Sequence, residues 1–207
     1  RRCESMTTGK TKGNAVNATD KASRSSEPCV KALESRKAGR TRTDGKVTHT
    51  LEPVYDQNSR ILILGTMPSP KSREYGFYYS HPQNRFWPVM GELFSIAPPA
   101  TREERIHFLH NHYIALWDVL HSCKIAGADD ASIREPVAND FSPVFEVADI
   151  QVVFTTGATA TKLFNRLCSE KTGREAVYLP STSPANCRHY SFSDLVEAYR
   201  PILSYLK

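Results

Sequence analysis

The run Ile61-Leu62-Ile63-Leu64-Gly65, ILILG, has no polar face. Being apolar at every position, it lacks the alternation of a strand with one wet side. At five residues it is also too short for a buried helix. A strand covered on both faces fits, and that is the situation inside a parallel sheet flanked by helices. Three further runs repeat the pattern: YIALWDVL from Tyr113, QVVFTTG from Gln151 and AVYLP from Ala176.

Helical spacing falls between and after these runs. TREERIHFLHNH, residues 101–112, opens with Thr101 followed three residues on by Glu104, a capping box, and spaces Ile106, Leu109 and Tyr113 on one face. The segment from Gly157 to Gly173 carries Ala160, Leu163, Phe164 and Leu167 on one side and ends on a glycine suited to a C-cap. A last helix from about Ser193 stripes Leu195, Tyr199, Ile202 and Leu206, with Pro201 as a bend. Strands alternating with helices predict a three-layer α/β/α sandwich around a central four-stranded, mainly parallel sheet.

The first 46 residues differ from the rest. They contain no Phe, Tyr or Trp and hold 12 Lys and Arg against 5 Asp and Glu, which leaves residues 47–207 with 15 against 17. Such a segment cannot bury enough apolar surface to offset the entropy of ordering. We therefore expect a disordered basic arm, 1–46, followed by one folded domain, 47–207. The pI of about 9.0 describes the arm. The folded part gives no electrostatic licence for a nucleic-acid partner, although the arm can add non-specific phosphate affinity.

No apolar run approaches the roughly 18 residues of a membrane span, so no membrane partner is expected. The chain does not begin with Met, which leaves the native N-terminus open. Cys3, Cys29, Cys123, Cys168 and Cys187 form no C-x-x-C pair and no even framework. Reduced thiols in an intracellular protein, nuclear or cytoplasmic with an organelle as the alternative, are the simplest reading. His107, His110 and His112, and Cys187 with His189, lack recognised metal-ligand spacing, so no metal is expected.

The unusual text follows the strands. GTMPSPKS comes after the first, WDVLHSC ends the second, TTGATA the third and PSTSPANCRHY the fourth. In this architecture ligands sit outside the carboxyl ends of the strands, so these segments converge on one cleft. GTMPSPKS nearly spells a phosphate-binding loop, with Gly65, Lys71 and Ser72 at the right spacing. Pro70 stands where the second glycine belongs and Pro68 removes another N–H, so a phosphate nest is excluded. What remains is a rigid loop presenting Ser69, Lys71 and Ser72. There is no G-x-S-x-G elbow for a serine hydrolase. Asp118 reads equally as a catalytic carboxylate or a turn cap.

FYYSHPQNRFW, residues 77–87, sets aromatics around a polar turn, His81-Pro82-Gln83-Asn84, that leads into a helix whose N-terminus faces the cleft. Phe86 and Trp87 read as core. Asn84 reads either as an N-cap or as a polar amide in the site. The aromatic wall is what a protein uses to stack a flat heterocycle.

At these residues the chain resembles a known family. LILGTMPSPKSREYGFYYSHPQNRFWPV is similar to the first motif region of the uracil-DNA glycosylase superfamily, and STSPAN to its second. The order of G-T-M-P-S, H-P-Q-N-R-F-W and S-P-A-N is closest to the hypoxanthine-DNA glycosylase (DNA-deoxyinosine glycosylase) branch, over about residues 58–205. The resemblance implies a monofunctional enzyme that hydrolyses the N-glycosidic bond of a deaminated base in DNA, hypoxanthine before uracil, without a cofactor. The expected partner is double-stranded DNA and the expected state a monomer.

The resemblance also implies roles. Many relatives carry Asp or Asn in the loop after the first strand; GTMPS has neither, and the important amide of this branch corresponds to Asn84, with His81 beside it. Tyr78, Tyr79 and Asp118 would meet the base. Ser69, Lys71 and Ser72 would lie along DNA, and Ser183, Pro184, Ala185 and Asn186 would enter the minor groove, with Arg188 on a phosphate. Ser181 replaces the histidine that fast uracil enzymes use. The alternatives are an ordinary Ser-Pro turn at 183–186, a binding module of this fold without turnover, and a hydrolase of free nucleosides.

Overall fold

The computed structural model describes residues 45–206. The predicted arm lies outside the described residues except for Gly45 and Lys46, which begin the first strand. In chain order the elements are β1 (Gly45–Thr48), β2 (Ile61–Gly65), α1 (Pro70–Tyr75), α2 (Phe86–Leu93), α3 (Arg102–Asn111), β3 (Ile114–Asp118), β4 (Leu120–Ile125), β5 (Arg134–Ala138), α4 (Ser142–Val147), β6 (Val152–Thr156), α5 (Ala158–Leu167), α6 (Ser169–Thr172), β7 (Ala176–Leu179) and α7 (Phe192–Tyr199).

The four apolar runs form one parallel sheet in the order β3-β2-β6-β7. β2 is central and buried at every residue because both faces are covered. Its alternation sorts the core. Ile61 and Ile63 join Phe86, Trp87, Phe108, Leu109, Leu195 and Tyr199 from α2, α3 and α7. Leu62 and Leu64 join Val144, Ala160, Leu163 and Phe164 from α4 and α5. The sandwich predicted from the apolar runs is the observed fold, and no helix among the described residues is long and apolar enough to cross a membrane.

A second sheet was not foreseen. Tyr113–Leu120 is not one strand: β3 ends at Asp118, and β4 turns away to pair antiparallel with β1 on one side and β5 on the other. β4 mixes buried Leu120, Cys123 and Ile125 with exposed His121, and its neighbours GKVT and REPVA are largely exposed. Edge strands of this kind carry no continuous apolar run to reveal them.

Three local expectations also change. Pro70 does not extend a loop but occupies the first turn of α1, where its missing N–H costs nothing, and Ser69 Oγ accepts the Ser72 N–H at 3.1 Å as the N-cap. The helix expected from Gly157 to Gly173 divides at Cys168 into α5 and α6, ending on left-handed Gly173. α7, capped by Ser191 and Asp194, gives way at Arg200 to a 3₁₀ turn that contains Pro201. Thr101 and Glu104 form the predicted capping box.

Candidate active site

A cleft of about 660 Å³ opens at the carboxyl ends of the parallel strands, within the range of small-molecule sites. Its lining includes Thr66 after β2, Asp118 ending β3, Thr156 ending β6, and Tyr79, Asn84 and Asn186 from the loops.

The floor is set by close approach. Gly65 and Asp118 are register partners, and a Cβ on residue 65 would lie 2.2 Å from Asp118 Oδ1 and 3.2 Å from the Tyr79 hydroxyl. Only glycine leaves the carboxylate its place. Asp118 is buried, and its Oδ2 lies 2.9 Å from His49 Nε2. The Leu51 N–H points at His49 Nδ1 over 3.2 Å. A backbone N–H needs a lone pair, so Nδ1 carries no proton, the imidazole is neutral, and Nε2–H donates to Asp118. Burial raises the Asp118 pKa above its ordinary value, and the His49 hydrogen bond opposes that rise.

The adjacent loop supplies a second carboxylate. Asp130, on the 3₁₀ turn between β4 and β5, accepts a 2.7 Å hydrogen bond from Thr66 Oγ1. Burial also raises its pKa above the ordinary 3.8. The native state therefore binds this proton more tightly than the unfolded chain, so Asp130 lowers stability as pH rises from 3.8 through its folded value. Asp130→Asn is expected to raise the Tm at pH 8 and to lose that advantage on acidification towards pH 4. Thermal melts across that range check it, and an advantage that is constant with pH would contradict it.

Asn84 sits between two elements. Its side chain meets the Phe86 N–H at 2.9 Å and the Thr182 hydroxyl at 2.9 Å. Because the N–H can only donate, the atom facing it is Oδ1. Arg85, not Asn84, is the N-cap residue of α2, but the Asn84 oxygen still holds the N–H of Phe86, the first residue of that helix. The amide nitrogen is left as the group with which Asn84 meets the cleft, a donor of two hydrogens.

Tyr79 has φ of +52°, a left-handed conformation that costs a bulky residue roughly 1–3 kcal/mol. It is held there by stacking on Phe86, with centroids 4.0 Å apart, and by a 3.0 Å hydrogen bond between its hydroxyl and Thr156 Oγ1. One ring face is thus taken, and a base can meet only the other face or an edge. Tyr78 is pinned harder: its hydroxyl donates to the Glu52 carbonyl at 2.8 Å, and its own carbonyl accepts the Trp87 indole N–H. Burial pushes both phenols well above the ordinary tyrosine value, so both stay protonated.

The structure brings Asn84, Tyr78, Tyr79, Asp118, Ser69, Ser72, Ser183, Ala185 and Asn186 to this cleft. His81 is not in its lining; Nδ1 accepts the Gln83 N–H at 3.1 Å and shapes the turn before Asn84. Lys71 points elsewhere, paired with Glu74 at 2.7 Å on the exposed side of α1. Pro184 and Arg188 stand beside the cleft rather than in its lining, Pro184 within the 3₁₀ turn Pro184–Asn186, which is held by a 2.9 Å bond from Asn186 Nδ2 to the Ser181 carbonyl. His49, Thr66, Asp130, Thr156 and Thr182 were not foreseen. Thr66, Thr156 and Thr182 lay inside quoted motifs; His49 and Asp130 lie in polar segments that carry no sequence signal.

A family model described as the Uracil DNA glycosylase superfamily matches residues 52–207. The chain is 33% identical over 138 residues to the hypoxanthine DNA glycosylase of Methanosarcina barkeri, covering 66% of this chain and 86% of that one. It is 34% identical over 137 residues to the enzyme of the same name from Methanosarcina acetivorans, covering 65% and 85%. A solution NMR structure of a candidate uracil DNA glycosylase from M. acetivorans superposes with a TM-score of 0.63 at 29% identity, over 75% of this chain and 98% of that one.

Proposed function

The chain belongs to the uracil DNA glycosylase superfamily, and on that premise we propose that it releases hypoxanthine from DNA, with uracil as a second substrate, leaving an abasic site for base excision repair. It is a DNA glycosylase, a hydrolase of N-glycosyl bonds acting on DNA. The finer reading is supported above all by the buried acceptor at the cleft floor. Hypoxanthine and uracil present a ring N–H beside a carbonyl, whereas adenine and cytosine present a ring lone pair beside an amino group. Asp118, with Oδ2 tied to His49, offers Oδ1 to an N–H.

The target bond is hidden in the duplex, so the nucleotide is extruded into the cleft at a cost of a few kcal/mol, least for a mispaired base. Deaminated bases are mispaired. The Ser183–Asn186 turn enters the vacated stack, with small Ala185 at its tip and Arg188 near phosphate. As the C1′–N bond breaks its electron pair leaves with the base and the sugar takes on oxocarbenium character; the Asn84 amide nitrogen orients the attacking water by donating to its oxygen, and the proton that water loses on bonding to C1′ neutralises the departed base. Such placement lowers the barrier without the amide accepting a proton.

The experiment is cleavage of an inosine-containing duplex beside free deoxyinosine. Release from the duplex alone is expected, and product no greater than that of an Asn84→Ala control overturns the reading. Deleting residues 1–44, which removes most of the arm's basic side chains and spares β1, is expected to leave the single-turnover rate on saturating DNA unchanged. It should flatten the salt dependence of binding, since each lost phosphate contact lowers the slope by about one. A truncated protein that binds saturating substrate yet fails to cleave it would place the domain boundary wrongly.

A further inference from the structure

We propose that His49 is a positioning residue which holds Asp118 as an acceptor for a base N–H and so sets the discrimination between deaminated bases and their amino parents. The proposal rests on the reading above in which Asp118 meets the base. His49 lies outside residues 52–207 that the family model matches.

The placement of His49 is built, not incidental. β1 pairs antiparallel with β4, Thr48 opposite Ser122, and the His49 N–H continues the ladder to the His121 carbonyl at 2.7 Å. That delivers the imidazole behind the sheet end, where its side chain is 3% exposed and Asp118's 5%. The Tyr78 ring lies 6.1 Å away and the Trp117 ring meets it edge-on at 6.4 Å. Leu51 N–H claims Nδ1, so the single imidazole proton is on Nε2 and is spent on Asp118 Oδ2.

Orientation and protonation follow together. With Oδ2 facing a donor, any proton on Asp118 would have to sit on Oδ1, the oxygen beside Gly65 on a residue that lines the cleft. The surroundings otherwise favour that proton: burial and the Asp130 carboxylate both raise the Asp118 pKa. His49 is the group that opposes them. Without it the carboxyl takes up a proton at higher pH, and Oδ1 changes from acceptor to donor. A donor there matches the ring lone pair of adenine or cytosine, the parents of the deaminated bases.

Two amide substitutions separate positioning from packing. His49→Gln carries an amide N–H to the place of Nε2. His49→Asn reaches only the place of Nδ1, keeping the Leu51 contact and abandoning Asp118. The parent and the Gln variant are expected to share one kcat/KM profile on inosine duplex. The Asn variant is expected to lose roughly tenfold at pH 6, as one pH unit on the limb of a group that must be ionised requires, and to recover by pH 9. Its binding preference for inosine over adenine duplex should fall by a similar factor.

Carbon-13 NMR of the Asp118 carboxyl, which needs no substrate, should titrate higher in the Asn variant than in the parent. An unchanged carboxyl titration, or a loss of rate equal at every pH, overturns the proposal. Parent enzyme inactive on inosine and uracil duplexes, with the carboxyl shift present, would instead overturn the functional reading alone.

Discussion

Asn84→Asp is expected to fold as stably as the parent and to lose about a hundredfold in single-turnover cleavage of inosine DNA. The aspartate can accept from both the Phe86 N–H and the Thr182 hydroxyl, the two bonds that Asn84 Oδ1 makes now, so the start of α2 and its tie to the β7 loop survive. What changes is the atom facing the cleft, from an NH₂ donor to a carboxylate oxygen. A water held by donation is then turned around, and misplacement of a reacting group costs on the order of a hundredfold. Measuring at saturating enzyme separates this from weaker binding caused by charge repulsion with DNA. Asn84→Ala, by contrast, abandons both bonds and should cost about 0.5–2 kcal/mol of stability as well as rate. An Asp variant as fast as the parent would mean that no donor is needed at residue 84, and the water-orienting role would pass to Asp130, a carboxylate held in the cleft by Thr66.

Gly65→Ala is the second large effect, and here a single methyl group does the damage. At 2.2 Å from Asp118 Oδ1 the new Cβ cannot coexist with the carboxylate in its present place, and overpacking of this kind costs about 1–3 kcal/mol. Asp118 must rotate away from the cleft or from His49, so cleavage of inosine DNA is expected to fall at least a hundredfold, as for other misplaced groups. Adding Asp118→Ala should return the lost stability, because the colliding atoms are gone, while leaving activity low. Thermal melts and single-turnover rates of the two single variants and the double variant check this. Independent, additive stability losses would show that the contact between residues 65 and 118 is not the source of the strain.

These effects depend on information of different kinds. By itself the chain's text determined the sandwich and its parallel sheet: ILILG and its three companions are apolar at every position, and only strands covered on both faces need that. It also placed the site, because the loops after those strands must share one end of the sheet, and it singled out Asn84 and Asp118. Tertiary structure alone decided what those residues can do. Thr182, 98 residues from Asn84, occupies its oxygen and leaves the nitrogen to the cleft. His49, 69 residues from Asp118, arrives on β1, a strand too polar and exposed to leave a hydrophobic pattern. Asp130 arrives the same way, on a turn between β4 and β5. Apolar periodicity reports which residues leave water, whereas a hydrogen bond between distant loops depends on the path that brings them within 3 Å, and no local pattern encodes that path.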